Sequence, residues 1–288
     1  MGAPSPLRVE RHESPLGAWE LHSRRPHPRL EGDVRGYTGY VERGPRPLRR
    51  REVPFGGVVV VVSFGPEIRL LDAGDPGALP ERRTSFVAGL DDGPTFTEHD
   101  GVQHGVQVNL TPLGASRLLG VPMRELARRV VSLEDVLGAD AARLAERLHD
   151  AGSWEARLDL VDAELAARLE RRLPASPDVA WAWRRLSETG GTVSIGTLTE
   201  ELGCSRRHLT TRFREQVGMP PKLVARVLRF DRAVRALRRD PAARLAGLAS
   251  ACGYYDQAHL NRDFRRFAGT TPAAFAADLL PDAGGVAG

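Results

Sequence analysis

One pattern of residues occurs twice in the last third of this 288-residue chain. Each copy contains a His-Leu pair, a Phe-Arg pair, a Gly and a Pro, and the copies are offset by 51 residues. The first copy is His208-Leu209, Phe213-Arg214, Gly218 and Pro221, and the second is His259-Leu260, Phe264-Arg265, Gly269 and Pro272. An internal repeat constrains the fold, because both copies are expected to form the same structural unit.

The residue pattern in and just before each copy predicts a helix, a tight turn and a second helix. Gly203 and Gly253 follow short apolar stretches of helical spacing, and glycine tolerates the positive φ at which many helices end. Ser205 and Asp256 come next, and their side-chain oxygens can cap the following helix. The sequence therefore predicts helix-turn-helix units at residues 194–218 and 244–269, joined by one helix over residues 220–239.

The second helix of each unit is predicted to have an apolar face and a polar, basic face. The buried positions are Leu209, Phe213 and Val217 in the first unit, and Leu260, Phe264 and Phe267 in the second. A solvated helix face could look the same in a single unit, but two copies in register favour DNA. Arg, Thr, Asn and Gln side chains can hydrogen-bond to base edges in a major groove.

The candidate DNA contacts fall into two sets, because backbone contacts position a protein and base contacts give it specificity. The residues predicted to read bases are Arg206, Arg207, Thr210 and Thr211 in the first unit, and Gln257, His259, Asn261 and Arg262 in the second. The residues predicted to contact phosphates are Ser205, Arg214, Arg265 and Thr271.

Positive charge is concentrated in the same part of the chain. Residues 205–239 contain 11 basic and 2 acidic residues, which favours a phosphate backbone as partner. Four arginines of the joining helix recur every third residue and so point around its circumference: Arg226, Arg229, Arg232 and Arg235. Some of them are therefore expected to pair with acidic residues such as Asp231 rather than with DNA.

The second copy resembles the signature of the AraC/XylS family of bacterial transcription regulators. The matching residues are Gly253-Tyr254-Tyr255-Asp256-Gln257-Ala258-His259-Leu260, Arg262, Phe264-Arg265-Arg266, Gly269, Thr271-Pro272 and Phe275. The resemblance covers roughly residues 178–282 and includes Arg229, Ala233 and Leu237 of the joining helix. Tyr254 and Leu260 depart from the usual aromatic residues but keep an apolar body. The resemblance implies two units in successive major grooves of double-stranded DNA, with RNA polymerase as a further partner.

The first 139 residues predict a separate domain of mixed structure. Met1–Arg25 looks irregular, and Arg49-Arg50-Arg51 looks like a charged loop. Five consecutive valines within Gly56–Gly65 are typical of a strand buried on both faces, with Glu67–Asp72 as its hairpin partner. Further strands are expected at Tyr37–Val41, Ser85–Leu90, Thr95–Glu98 and Gly105–Leu110, and a helix at Pro112–Leu119. The predicted fold is an α+β N-terminal domain, a small sheet or partial barrel with helices, followed by an all-α double helix-turn-helix domain.

Residues 140–177 predict a helical connector between the two domains. Asp140–Leu173 has an apolar stripe that would pack either on its own sheet or against a second copy in a homodimer. Pro174 and Pro177 interrupt the helix and mark the boundary of the DNA-binding domain at residues 178–288. Asp178 is expected to cap the first helix of that domain.

The N-terminal domain is expected to control DNA binding through a small-molecule effector or through dimerisation. A domain that only dimerises, or an enzyme fused to a DNA-binding module, are the alternatives. No nucleophile elbow, phosphate-binding Gly-rich loop or carboxylate pair indicates an enzyme, and DNA-repair alkyl acceptors need a reactive cysteine before Cys204 that this chain lacks. His99, Asp100 and His104 do not have the spacing of a closed metal site, so neither a metal nor a cofactor is predicted.

The sequence predicts a cytoplasmic protein without a membrane partner. Its start lacks the charged and apolar segments of a signal peptide, and the valine run is too short to span a bilayer. Cys204 and Cys252 occupy nearly equivalent places in the two units and are predicted to be small buried apolar residues rather than a disulfide.

Overall fold

The computed structural model describes residues 5–71, 79–170 and 174–279. The strands are β1 (Arg8–Ser14), β2 (Gly17–Arg24), β3 (Val34–Arg43), β4 (Leu48–Glu52), β5 (Val58–Ser63), β6 (Ile68–Leu71), β7 (Glu81–Arg83), β8 (Phe86–Ala88), β9 (Thr95–His99), β10 (Val102–Leu110) and β11 (Val130–Ser132). The helices are α1 (Pro112–Leu119), α2 (Met123–Leu126), α3 (Leu133–Leu137), α4 (Ala139–Asp150), α5 (Trp154–Glu170), α6 (Pro177–Glu188), α7 (Ile195–Glu201), α8 (Arg206–Val217), α9 (Pro221–Arg239), α10 (Leu245–Ala251), α11 (Gln257–Ala268) and α12 (Pro272–Ala277), besides a 3₁₀ turn at Pro28–Leu30.

The strands form two antiparallel sheets in the N-terminal domain. The larger has the order β1-β2-β3-β10-β5-β8-β11, and the smaller has the order β4-β9-β6-β7. Helices α1 to α5 complete this domain, and helices α6 to α12 make up the C-terminal region. The predicted fold class, a β-rich domain with helices followed by an all-helical region, is confirmed.

The valine-rich strand β5 is buried on both faces, as the sequence predicted. Val58, Val60 and Val62 belong to the core between the larger sheet and its helices. Val61 faces the other way and packs with Ile68 of the smaller sheet. Strand β10 pairs with one edge of β5 and strand β8 pairs with the other.

The prediction of an irregular start at Met1–Arg25 is wrong where the structure describes it. Residues 1–4 lie outside the described residues, but β1 and β2 form a hairpin in which Ser14 pairs with Gly17. Charged residues line this edge of the sheet, and Arg11 bonds across it to Glu20 at 3.2 Å. The hairpin lacks the alternation of apolar residues by which a half-buried strand is recognised.

Two further strand predictions need correction. Arg49-Arg50-Arg51 is not a loop but part of β4, paired with β9, and the Arg49 guanidinium lies 4.5 Å from the centre of the Phe96 ring. The segment predicted as the hairpin partner of the valine strand becomes β6, which pairs with β9 and β7 instead. Its predicted last residue, Asp72, lies outside the described residues. Ile68 and Leu70 thus meet β5 through side-chain packing between the sheets rather than through hydrogen bonds.

The predicted connector is part of the N-terminal domain. Two helices, α4 and α5, replace the single helix predicted over Asp140–Leu173, whose end lies outside the described residues. The apolar stripe belongs to the core of the larger sheet, where Leu148, Leu158, Val161 and Leu169 are buried. Tyr37 of β3 donates a hydrogen bond to Asp162 of α5 at 2.7 Å. The apolar stripe therefore packs on the larger sheet of its own domain and not against a second copy.

The C-terminal region begins close to the predicted boundary. Helix α6 starts at Pro177, Ser176 occupies the position before it, and Asp178 lies in its first turn rather than capping it. The joining helix α9 starts at Pro221 rather than at residue 220, and Asp282 lies outside the described residues. Leu90 and Leu113 of the N-terminal domain are buried in the same cluster as Phe213, so the two parts share packed side chains.

Within residues 5–71, 79–170 and 174–279, every helix is too short or too polar to cross a lipid bilayer.

Candidate nucleic-acid interface and ligand cavity

The first helix-turn-helix unit consists of α7 and α8. Gly203 in the turn has a φ of +61°, the left-handed conformation that glycine adopts without strain. Ser205 accepts a hydrogen bond on its hydroxyl from the backbone N–H of His208 at 3.1 Å and so caps α8. The turn and the cap have the form that the sequence predicted.

The faces of α8 follow the predicted assignment. Its apolar residues Leu209, Phe213 and Val217 are at most 1% exposed. Of the residues predicted to contact DNA in this unit, Ser205, Arg206, Arg207, Thr211 and Arg214 are exposed, and Thr210 is partly buried. Most of these basic and polar side chains therefore remain open to solvent beside the buried face.

The second unit, formed by α10 and α11, repeats this geometry. Gly253 has a φ of +78°, and Asp256 accepts a hydrogen bond from the His259 N–H at 2.6 Å. Its apolar residues Leu260, Phe264 and Phe267 are completely buried. Of the predicted DNA contacts, Gln257, Arg262 and Arg265 are exposed, while His259, Asn261 and Thr271 are partly buried.

Two of the predicted contacts in the second unit, His259 and Thr271, also have bonds or packing within the protein. The His259 ring lies edge-on against Tyr254, with 5.1 Å between ring centres. Thr271 accepts a hydrogen bond from the Ala274 N–H at 3.3 Å and caps α12, as Ser205 caps α8. A hydroxyl that accepts at a helix start keeps its own proton, and that proton can be donated to a phosphate oxygen.

Two exposed residues of the second unit, Tyr255 and Arg266, belong to the matching signature but not to the predicted DNA contacts. Tyr255 is 94% exposed, immediately before the cap of α11. Arg266 on α11 forms an ion pair with Asp92 of the N-terminal domain. No local pattern could indicate that pair, because its members are 174 residues apart.

The joining helix α9 packs against the second unit. Phe230 lies 4.9 Å from Phe264 and 5.2 Å from Phe267, measured between ring centres. Arg226 bonds to Asp263 of α11 at 2.6 Å, and Arg235 pairs with Asp231 at 3.2 Å. The prediction that some arginines of this helix pair with acids is confirmed.

A cavity of about 570 Å³ lies between the two sheets of the N-terminal domain. Apolar residues of both sheets line it, namely Leu21, Val59, Val61, Ile68, Leu70 and Phe86. Helix α9 contributes the residues Asp231, Val234, Arg235 and Arg238 to the same lining. The joining helix of the DNA-binding region is thus part of the wall of the cavity.

Polar groups in the cavity form a bonded network. Glu42 accepts a hydrogen bond from Arg50 at 3.0 Å, and the His99 Nε2 lies 3.0 Å from the same carboxylate. His99 Nδ1 accepts a hydrogen bond from the Gly101 N–H at 3.2 Å. His104, which the sequence placed beside His99, instead packs against Phe64 at 5.2 Å. In the part of the chain that the structure describes, no group of three or more His, Cys, Asp or Glu could hold a metal ion.

Two carboxyl groups at the cavity, those of Asp231 and Glu52, have pKa values above their ordinary range. Burial raises the pKa of Asp231, although the nearby guanidinium groups of Arg235 and Arg35 act in the opposite direction. Loss of hydration inside the cavity also raises the pKa of Glu52, although its side chain remains solvent-accessible; Glu52 accepts a hydrogen bond from Thr97 at 3.3 Å. The cavity therefore combines apolar walls with charged groups from both parts of the chain.

Both cysteines are free thiols. Cys252 is buried and packs in the core of the second unit, and burial raises the pKa of its thiol. Cys204 is partly buried at the edge of the first core. These positions suit the predicted role of small apolar residues.

Residues 198–278 match a family model described as a helix-turn-helix domain. Apo ToxT from Vibrio cholerae, in a variant form, is similar with a TM-score of 0.49 and 12% identity over 85% of this chain and 98% of that chain. Wild-type ToxT from Vibrio cholerae with bound unsaturated fatty acid has a TM-score of 0.48 and 12% identity over 88% and 96%. The AraC-like transcriptional activator CuxR has a TM-score of 0.30 and 15% identity over 82% and 86%. A comparison with curated proteins finds no match.

Two helix-turn-helix units with exposed basic faces, within a matching family model, define this chain as a DNA-binding transcription regulator. Within it, residues 198–278 are the part that is similar to the helix-turn-helix family model.

Proposed function

We propose that this regulator is controlled by a small molecule that binds in the cavity of the N-terminal domain. The observation that carries the proposal is the composition of the cavity wall. Helix α9 joins the two DNA-binding units and also lines the cavity through Asp231, Val234, Arg235 and Arg238. A ligand in the cavity would contact this helix directly, and a ligand that prefers one position of the helix shifts the protein toward it.

The chemistry of the wall favours a mainly apolar ligand with a polar or charged group. A volume of about 570 Å³ falls within the range of small-molecule sites, which are mostly apolar with a few placed polar groups. Aliphatic side chains of β5 and β6 would contact its apolar part, and the charged side chains of β4 and α9 would select its polar part.

Ligand binding should be lost when the cavity is filled. Val59 of β5 lines the cavity and is partly buried, so Val59→Phe places a ring in the space that the ligand needs. A ligand that binds only the native state at about 100 times its Kd stabilises the wild type by about 2.7 kcal/mol. We expect that gain for the wild type and none for Val59→Phe, measured by thermal unfolding with a panel of unsaturated fatty acids and uncharged apolar molecules.

Val9→Phe is the matched control, because Val9 is 39% exposed on the outer edge of the larger sheet. This variant should retain the full ligand effect. A ligand that stabilises the wild type and Val59→Phe equally would have to bind elsewhere, and the proposed site would be wrong.

We also propose that the exposed faces of α8 and α11 read bases in successive major grooves. Helix α9 has 19 residues and spans about 28 Å, which approaches the ~34 Å of one turn of B-DNA. The proposed base contacts are those predicted from the sequence, with Arg207 in the first unit and Arg262 in the second as their main members. Ser205, Arg214, Arg265 and Thr271 are the proposed phosphate contacts.

Arg207→Ala and Arg262→Ala should each weaken binding to a specific site by about 1–3 kcal/mol. Each variant should relax the base preference at a different position, and the two positions should lie about one helical turn apart. In vitro selection from random duplexes followed by titration of single base changes measures both effects.

Arg184→Ala provides the control for loss of one positive charge, because Arg184 is exposed on α6 outside both units. It should lower affinity slightly and leave every base preference unchanged. If Arg207→Ala and Arg262→Ala relaxed the same base pair, the two-groove arrangement would be refuted.

A further inference from the structure

Asp92 connects the N-terminal domain to the second DNA-binding unit. It lies in the loop between β8 and β9, and its side chain is 6% exposed. One carboxylate oxygen accepts a hydrogen bond from Arg128 of the same domain, and the other accepts one from Arg266 of α11. A buried carboxylate is therefore shared between two guanidinium groups, one from each part of the chain.

The charges around Asp92 favour its ionised form. Burial raises the pKa of this carboxyl, but the hydrogen bonds from Arg128 and Arg266 outweigh burial and hold the pKa below its ordinary value. Removing one partner of a buried ion pair is costly because it leaves the other charge without compensation. Removing Arg266 would therefore leave the buried Asp92 carboxylate with Arg128 as its remaining partner in this pair of contacts.

The local backbone fixes the position of Asp92. Asp91 accepts hydrogen bonds on Oδ1 from the N–H groups of Asp92 and Gly93, at 2.6 and 3.1 Å. Arg128 has a φ of +59°, the left-handed conformation that residues other than glycine rarely adopt. The Arg128 N–H bonds to the Leu90 carbonyl at 2.9 Å, which ties the two segments together.

The N-terminal domain also contacts the C-terminal end of α8, the proposed reading helix of the first unit; α11 is the proposed reading helix of the second. Helices α1 and α2 pack against α8. Gly218 directly follows α8, and a Cβ on it would lie 2.8 Å from the Met123 carbonyl oxygen of α2. The N-terminal domain thus contacts the C-terminal ends of both reading helices, through Met123 and through Asp92. Arg207 and Arg262, on the proposed reading faces, remain exposed.

We propose that Asp92 is a positioning residue for DNA recognition. Through Arg266 it holds α11 on the domain that also holds α8, and so it sets the distance and angle between the two reading helices. The inference rests on the proposed reading of two successive grooves. Holding both helices in the geometry of DNA before binding avoids the entropy loss of ordering them on binding.

The sign of the effect separates positioning from simple electrostatics. Removing a carboxylate close to a DNA-binding helix would strengthen binding if charge alone mattered, because phosphates repel carboxylates. Loss of positioning should instead weaken binding to a site with two boxes, that is, one recognition sequence for α8 and a second for α11. It also reduces the penalty for boxes at the wrong spacing, since a loosely held α11 can reach them.

The test uses the full chain and a duplex selected by it in vitro, together with duplexes that have one base pair added or removed between the boxes. Asp92→Asn should bind the selected duplex about tenfold more weakly, within the range of measured couplings between sites. Arg266→Gln should match it, and the double variant should be no weaker than either single variant. All three should distinguish the altered spacings less well than the wild type does.

Arg265→Gln is the matched control, because Arg265 is the exposed neighbour of Arg266 on α11. The loss of DNA affinity caused by Arg265→Gln should add to that caused by Asp92→Asn, and Arg265→Gln should leave the spacing preference unchanged. Thermal unfolding checks that the variants are folded. If Asp92→Asn does not fold, Arg266→Gln still tests the proposal, because it leaves Asp92 paired with Arg128.

Wild-type affinity and spacing preference in the folded Asp92→Asn variant, or tighter binding by it, would overturn the proposal. So would unchanged spacing preference in Arg266→Gln. Selection of a single box, or of no specific duplex, would instead contradict the proposed two-groove reading.

Discussion

Phe213→Ala and Phe264→Ala should each lower the free energy of unfolding of the C-terminal region by about 3–5 kcal/mol. Both rings are completely buried, at equivalent positions of the two reading helices. Phe264 contacts Phe230 of α9 and Phe275 of α12, with ring centres 4.9 and 5.6 Å apart. The loss is a large part of the net stability of about 5–15 kcal/mol that is typical of a domain.

These variants should lose DNA binding, although neither ring lies on the exposed reading face. The reason is that the ring holds the reading helix against its own unit, so its removal loosens the helix. Arg207→Ala should show the opposite behaviour, with weaker DNA binding and a nearly unchanged Tm, because its side chain is exposed. Thermal unfolding and DNA titration of the three variants measure both properties.

Phe213→Ala and Phe264→Ala should differ in which parts of the protein they destabilise. Phe213 shares its cluster with Leu90 and Leu113, so Phe213→Ala should also loosen the N-terminal domain from the first unit. Phe264 lies in a separate cluster made by the second unit, α9 and α12, with Val53 as a partly buried neighbour. Wild-type stability of Phe213→Ala would mean that the assigned faces of α8 are reversed.

Arg226→Met should lower the free energy of unfolding by about 3–5 kcal/mol. Asp263 on α11 is 1% exposed, and its Oδ1 accepts the hydrogen bond from Arg226 at 2.6 Å. Without the guanidinium, a carboxylate would remain buried beside Phe264 and Phe267 with its charge uncompensated. Chemical denaturation of the variant measures the loss, and DNA titration should show weaker binding because α11 is no longer tied to α9.

The double variant Arg226→Met/Asp263→Asn should be more stable than Arg226→Met alone, because an amide has no charge to compensate. Arg239→Ala removes an exposed arginine from the last turn of the same helix and should change the free energy of unfolding by less than about 0.5 kcal/mol. A small effect of Arg226→Met, similar to that of Arg239→Ala, would show that the ion pair contributes little to holding α11.

The candidate site was predictable to the extent that its parts are local in sequence. The turns at Gly203 and Gly253, the caps at Ser205 and Asp256, and the buried faces of α8 and α11 all agree with the sequence analysis. Each depends on residues within about one or two helical turns, where spacing and side-chain type decide the conformation. The assignment of individual residues to bases or phosphates stays a prediction.

The strand and connector predictions that were wrong in the N-terminal domain have a different physical origin. The hairpin of β1 and β2 carries charges on an edge strand, and β6 joins the smaller sheet rather than the valine strand beside it in sequence. Which strands pair depends on the burial that the whole sheet achieves, and a charged edge strand gives no apolar alternation. The helices α4 and α5 were likewise assigned to a connector, because an apolar stripe does not reveal which surface covers it.

The sequence by itself determined the two DNA-binding units, because a repeat of caps, glycines and apolar spacing specifies each unit through short-range contacts. The tertiary structure alone decided that α9 lines the ligand cavity and that Asp92 holds Arg266 across 174 residues of chain. Both features arise where distant segments pack together. Such contacts depend on the geometry of two folded surfaces, and no spacing within either segment encodes them.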